Sequence, residues 1–224
     1  MAPKTRATEV LAIKHPIVQA PMAGGPTTPE LVAAVSNAGG LGSLGAAYLP
    51  PETLREQVKE IRSLTEEPFG VNLFVPSLFE ADPERIEHAN MLLGPYRREL
   101  GIEAPEKFSS FEENFEDQLK IVFEERVPIL SFTFGSLGPE LVERLKQNGT
   151  TVVGTATTVR EGLRLEEDGV DVVVAQGSEA GGHRGTFLGD FRDALIGTMA
   201  LVPQMVDALS IPVSRREESW TAGG

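Results

Sequence analysis

Residues 150–176 read TTVVGTATTVREGLRLEEDGVDVVVAQ. Two short runs rich in Val and Thr, TTVVGTA and VDVVVAQ, flank the helix-patterned stretch TVREGLRLEEDG. The second run carries no polar–apolar alternation. A strand that is apolar throughout is buried on both faces, which suits a parallel sheet covered by helices. Strand, helix and strand in this order make one βαβ crossover.

The unit repeats on either side of this stretch. HPIVQAPM (15–22) reads as a first strand, followed by the loop AGGPTTP and the helix PELVAAVSNAGG, stopped at Gly39. LGSLGAA reads as a second strand. PPETLREQVKEIRSLTEE reads as an amphipathic helix with Pro at its start and apolar residues at Leu54, Val58, Ile61 and Leu64. PFGVNLFVP is a third strand, ending at Pro76. Residues 77–126 form a polar insertion with two helices, DPERIEHANMLLGPYRREL and SFEENFEDQLKIVFEER, in which EENFEDQ reads as a solvated helix face. PILSFTF is a fourth strand, GPELVERLKQNG a helix, and TTVVGTA and VDVVVAQ are the fifth and sixth strands. FRDALIGTMALVPQMVDAL is helical toward its end, and IPV begins a seventh strand.

Repeated βα units close either as a doubly wound open sheet or as a (β/α)₈ TIM barrel. No G-x-G-x-x-G follows the first strand, which weakens the dinucleotide-binding sheet. The regular units favour an α/β TIM barrel, here incomplete at six to seven units, because eight take about 250 residues. The ending SRREESWTAGG (214–224) switches abruptly to charged residues. Codons for it, read in a neighbouring frame, spell IAAGGIMDGRG, an apolar strand followed by a Gly-Gly turn. The expectation is a barrel over 1–213, truncated by a frameshift, and an aberrant tail over 214–224.

Composition narrows the chemistry. The 20 Lys and Arg against 33 Asp and Glu give a net charge of −13, a poor match to nucleic acid or anionic membranes. Cysteine is absent, which excludes thiolate chemistry and zinc–thiolate sites. The sequence offers no metal-ligand spacing, no G-x-S-x-G and no P-loop. The N-terminal stretch holds no long apolar core, so no signal peptide is expected and the cytoplasm is the expected compartment.

One of only three histidines, His183, lies in AQGSEAGGHRGTF, at the C-terminal end of the sixth strand. In a barrel that end is the active face. An imidazole there can take a proton from a weak carbon acid. The glycines at 181, 182 and 185 let a flat ligand approach the backbone. Asn72 and Gln176 sit at or near the ends of strands three and six. Their amides can bond the edge of a heteroaromatic ring, and Asn is a poor strand former, so its place in FGVNLFV asks for a reason. PMAGG (21–25) provides a tight turn with open N–H groups. Glu179 is a lesser candidate for a second carboxylate, and His15 and His88 read as structural or solvated.

PIVQAPMAGG, AVSNAGGLGSLGAAYL, PFGVNLFVP, SFTFG and VAQGSEAGGHRGTF resemble the nitronate monooxygenase family, formerly called 2-nitropropane dioxygenases, from about residue 10 to Val213. The resemblance implies a (β/α)₈ barrel with non-covalent FMN that oxidises alkyl nitronates with O₂ to a carbonyl compound and nitrite. It implies that His183 acts as base toward neutral nitroalkanes and that Asn72, Gln176 and Gly181 contact FMN. The family's phosphate-cradling IPVIAAGGIMDGRG matches the shifted frame of the tail. The partners implied are a nitronate or nitroalkane and O₂, with pairing of two copies left open. The flavin-type enoyl-acyl-carrier-protein reductases share the EAGGH loop and form the rival enzyme reading. An inactive truncated fragment is the non-enzyme alternative.

Overall fold

The computed structural model describes residues 4–76, 82–103 and 115–216. Contacts divide the chain into two compact units, one of Met1–Pro76 with Glu113–Gly224 and the other Ser77–Glu112. Among its described residues the larger unit holds six strands: β1 (Gly42–Gly45), β2 (Phe69–Phe74), β3 (Ile129–Thr133), β4 (Thr151–Ala156), β5 (Val172–Gln176) and β6 (Val213–Arg216). All pair in parallel and in sequence order. The sheet is a curled, incomplete TIM barrel with helices between the strands. Those helices are α1 (Arg6–Val10), α2 (Pro29–Asn37), α3 (Pro51–Leu64), α5 (Phe115–Glu124), α6 (Pro139–Gln147), α7 (Val159–Glu167) and α8 (Thr198–Ala208); α4 (Pro83–Leu100) lies in the smaller unit.

The first expected strand shrinks to one parallel bridge, Val18 to Leu41. Gln19 N–H donates to the Leu41 carbonyl and Leu41 N–H to the Ile17 carbonyl, both at 2.9 Å. Pro16 and Pro21 flank this short stretch and have no N–H to give a ladder. The Gln19 side chain takes the ladder one step further: its Oε1 accepts from Ser43 N–H at 3.1 Å. At the other edge β6 runs on from Val213 through Ser214–Arg216, against Val174–Gln176. These three residues belong to the expected tail; its remainder, 217–224, lies outside the described residues.

Side-chain alternation separates two apolar layers. Val71, Leu73, Leu130, Phe132, Val152, Val173 and Ala175 point outward into the main core, against Leu54, Val58 and Ile61 of α3 and Leu201 and Met205 of α8. Leu64, expected on the buried stripe of α3, is instead exposed in its last turn. On the inner face Leu41, Ile129, Val153 and Val172 form a floor beneath Leu11, which follows α1. The expected insertion 77–126 divides in two. The helix α5 packs Leu119, Ile121 and Val122 into the main core of the larger unit. The smaller unit contains α4, capped by Asp82 at Glu84 N–H (3.0 Å) and ended by Gly101 at φ +66°. Among the described residues no helix is long and apolar enough to cross a membrane.

The sheet carries α2 at very close range. A Cβ on Gly42 would stand 2.0 Å from the Val32 carbonyl oxygen and 2.7 Å from its carbon. Backbone cannot yield cheaply there, so Gly42→Ala is expected to cost about 1–3 kcal/mol by overpacking. A urea titration checks this, and an unchanged midpoint would refute the packing argument.

Candidate active site

The inner face of the sheet becomes polar toward the C-terminal strand ends. Residues alternate by two along a strand, so Asn72 and Phe74 of β2, Ser131 and Thr133 of β3, Thr155 of β4 and Gln176 of β5 share that face. Asn72 is buried, and its Nδ2 donates to Ser131 Oγ at 3.0 Å. The asparagine inside a strand thus meets a polar partner on the barrel's inner wall, and its Oδ1 stays without a protein partner among the described residues.

The loop after β5 is fixed by its own side chains. Gln176 is fully buried; its Nε2 donates to the His183 carbonyl at 2.8 Å and its Oε1 accepts from Gly185 N–H at 2.7 Å. The segment thereby folds back over the strand ends, where a Cβ on Gly185 would come within 2.7 Å of Thr133 Cγ2. Gly177 admits the start of α8: a Cβ there would lie 1.8 Å from Thr198 Oγ1. The Arg184 guanidinium donates to the carbonyls of Gln176 at 2.5 Å, Gly177 at 2.7 Å and Thr157 at 3.5 Å, and also to that of Ala194. Burial pushes the Arg184 pKa down, against the opposing pull of Glu161 and Glu179. Behind it Glu161, fully buried in the first turn of α7, accepts from Thr157, Phe187 and Leu188.

These ties deliver His183 to a cavity of about 410 Å³, lined by Pro21, Met22, Tyr48, Asn72, Gly181 and His183 among others. The imidazole is exposed and stands edge-to-face with two rings, Phe74 at 6.1 Å and Phe134 at 6.0 Å between centroids. Phe74 in turn meets Tyr48 at 5.7 Å and Phe134 at 4.8 Å. Opposite, the turn after Pro21 approaches β1 closely, since a Cβ on Gly45 would stand 2.5 Å from Ala23 N. Gly24 and Gly25 follow at φ +87° and +109° with open space around them.

Of the residues singled out from sequence, His183, Asn72 and Gly181 meet at this one cavity. Gln176 does not line it; its amide grips the histidine loop instead. Glu179 turns away as a helix cap, its Oε1 accepting from Thr198 N–H at 2.7 Å. The N–H groups of Glu179 itself and of Thr198 hold its pKa below the ordinary 4.5. Its contribution is therefore present above that value and is lost as pH falls through the lowered folded-state pKa. His15 sits at the opposite end of the sheet, with its N–H on the Gly39 carbonyl at 2.8 Å. Sequence reading missed Tyr48, Phe74 and Phe134. Phe74 could have been found, because it lies two residues after Asn72 and so on the same face. It also missed Gln118 in the supposedly solvated EENFEDQ: that side chain is buried and donates to the Ala46 and Leu49 carbonyls at 3.0 and 2.9 Å.

A family model described as nitronate monooxygenase matches residues 4–215. The probable nitronate monooxygenase of Staphylococcus haemolyticus is 51% identical over 208 residues, covering 92% of this chain and 58% of that protein. Its counterpart in Staphylococcus saprophyticus is 50% identical, covering 93% and 59%. A crystal structure of nitroalkane oxidase from Streptomyces ansochromogenes superposes with a TM-score of 0.85 at 37% identity, covering 94% of this chain and 60% of that one. FabK from Thermotoga maritima superposes at 0.69 with 31% identity, covering 96% and 54%. The chain thus spans a little under three-fifths of the length of these Staphylococcus relatives.

Proposed function

The chain belongs to the nitronate monooxygenase family, and from that premise we propose that its barrel mouth serves the FMN-dependent oxidation of alkyl nitronates by O₂ to a carbonyl compound and nitrite. The observation that carries the reading is the meeting of His183, Asn72 and Gly181 around one cavity at the C-terminal strand ends, where barrel enzymes keep their chemistry.

The residues present fit the flat ring of a flavin. The wall from Ala20 to Ala23, Gly181 and Gly182 brings backbone close to the cavity, and Asn72 Oδ1 supplies an acceptor beside it. In this reading Asn72 and Gly181 hold the ring, while Gln176 acts one step back by fixing the 183–185 backbone. FMN, when bound, supplies the electron acceptor; the protein supplies orientation and a partly dry wall. Toward a neutral nitroalkane His183 takes the proton from the carbon beside the nitro group. A nitronate arrives already deprotonated and needs only to be oriented. The partners are therefore a small nitronate or nitroalkane and O₂.

Titrating the purified chain with FMN tests the reading. The expected result is a bound-flavin spectrum together with nitrite release from an alkyl nitronate that requires both FMN and O₂. A chain that leaves the spectrum of free FMN unchanged and releases no nitrite would overturn it. Rapid flavin bleaching by NADH would instead favour the enoyl reductase reading.

A further inference from the structure

Phe134 carries a backbone that its side chain disfavours. Its φ is +75°, in the left-handed region where a bulky residue is an outlier. The turn itself does not need a phenyl group, because glycine would adopt this φ without strain. Gly135 stands one position later, yet the left-handed conformation falls on the phenylalanine. Strain of this kind persists where surrounding structure over-determines it, commonly at functional sites.

What the ring touches gives the reason. Phe134 belongs to neither hydrophobic core cluster. Its ring lies 4.8 Å from that of Phe74 at 76° and 6.0 Å from that of His183 at 89°. Phe74 completes the notch on its other side, 6.1 Å from the imidazole at 61°. Among the described residues the imidazole nitrogens have no hydrogen-bond partner, and Gln176 holds only the carbonyl of His183. The neighbours that the imidazole does have are two phenyl rings, both edge-to-face with it, and one of them is carried by a left-handed backbone.

We propose that Phe134 is the positioning residue for His183, its left-handed backbone carrying the ring that fixes the imidazole over the cavity. The inference rests on His183 being the base of the proposed reaction, but its first test needs neither flavin nor turnover. The chain has three histidines, so the His183 resonances can be identified by their loss in His183→Gln. Phe134→Gly keeps the turn, relieves the strain and removes the ring. In this variant the His183 χ1 couplings, which should report a single rotamer in the wild type, are expected to average toward those of a freely rotating side chain, a change that loss of the phenyl ring current alone does not produce. Phe134→Tyr keeps the ring and should restore the single-rotamer couplings. Unchanged couplings in Phe134→Gly would overturn the proposal, as would averaging that the tyrosine variant does not reverse.

Turnover gives the second readout. Phe134→Gly should lower kcat/KM for a neutral nitroalkane on the order of tenfold more than for its nitronate, because only the former needs an aligned base. Equal losses on the two substrates would assign the ring to packing alone and reject the positioning role. A wild-type chain that turns over neither substrate would count against the functional reading, and the couplings would still decide the role of Phe134.

Discussion

In the proposed reaction, replacing His183 with alanine is expected to lower kcat/KM for a neutral nitroalkane by about 10²- to 10⁴-fold, the usual contribution of a positioned general base. That range corresponds to about 2.7–5.4 kcal/mol of transition-state stabilisation. The preformed nitronate should lose less than about tenfold, because its carbon proton is already gone. The variant should still fold. His183 is exposed, and the bonds that place it, from Gln176 to its carbonyl and from Gly185 N–H to Gln176, involve no imidazole atom. Its melting temperature should therefore match the wild type within a degree or two, about what a few tenths of a kcal/mol would produce. Nitrite release and oxygen uptake, measured on both substrates, separate the outcomes. Matching losses on nitroalkane and nitronate would remove the base role and leave His183 as a wall of the cavity.

The sheet was legible because its strands are buried on both faces. Runs such as VDVVVAQ have no second reading once a helix-patterned stretch follows each of them. The first strand was legible in place but not in extent. A glutamine side chain that completes a ladder, as Gln19 does at Ser43, leaves no periodic signal. That His183, Asn72 and Gly181 lie near one another could be read from sequence, because strand ends and glycine pairs mark the mouth of a barrel, and the three do line one cavity. The direction of the Gln176 amide could not be read, since it depends on where the loop returns nine residues later. Phe134 is harder still: the sign of its φ is decided by tertiary contacts, and the adjacent glycine points sequence reasoning to the wrong residue. Gln118 and Glu161 look like ordinary polar residues on helix faces. Their burial follows from which loops cross above α5 and α7, and only the assembled fold reveals it.

Glu161→Ala is expected to be among the most destabilising single substitutions in the chain. The carboxylate is fully buried and gathers four donors: Thr157 N–H and Oγ1 at 2.6 Å each, Phe187 N–H at 2.6 Å and Leu188 N–H at 2.8 Å. Alanine satisfies none of them, and among the described residues only the Thr157 hydroxyl of the four keeps another partner, Thr186 Oγ1 at 2.9 Å. An orphaned buried donor costs about 1–3 kcal/mol, and donors sharing one acceptor group do not add fully, so a loss of about 3–5 kcal/mol is expected. Set against a typical total of about 5–15 kcal/mol, that is a large share of the stability. Glu161→Gln should fall between, since its one oxygen can still serve one side of the junction while its NH₂ faces donors on the other. The damage should also be local before it is global. Glu161 ties the β4–α7 turn to the segment just past Gly185, and its charge opposes the burial penalty on Arg184, which grips the same loop. Amide exchange at Phe187 and Leu188 should therefore accelerate in the glutamine variant under conditions where the β3 and β4 amides remain protected. Urea unfolding with residue-resolved exchange measures both effects. An alanine variant within about 1 kcal/mol of wild type would mean that water reaches these donors, and that the carboxylate does not hold the loop.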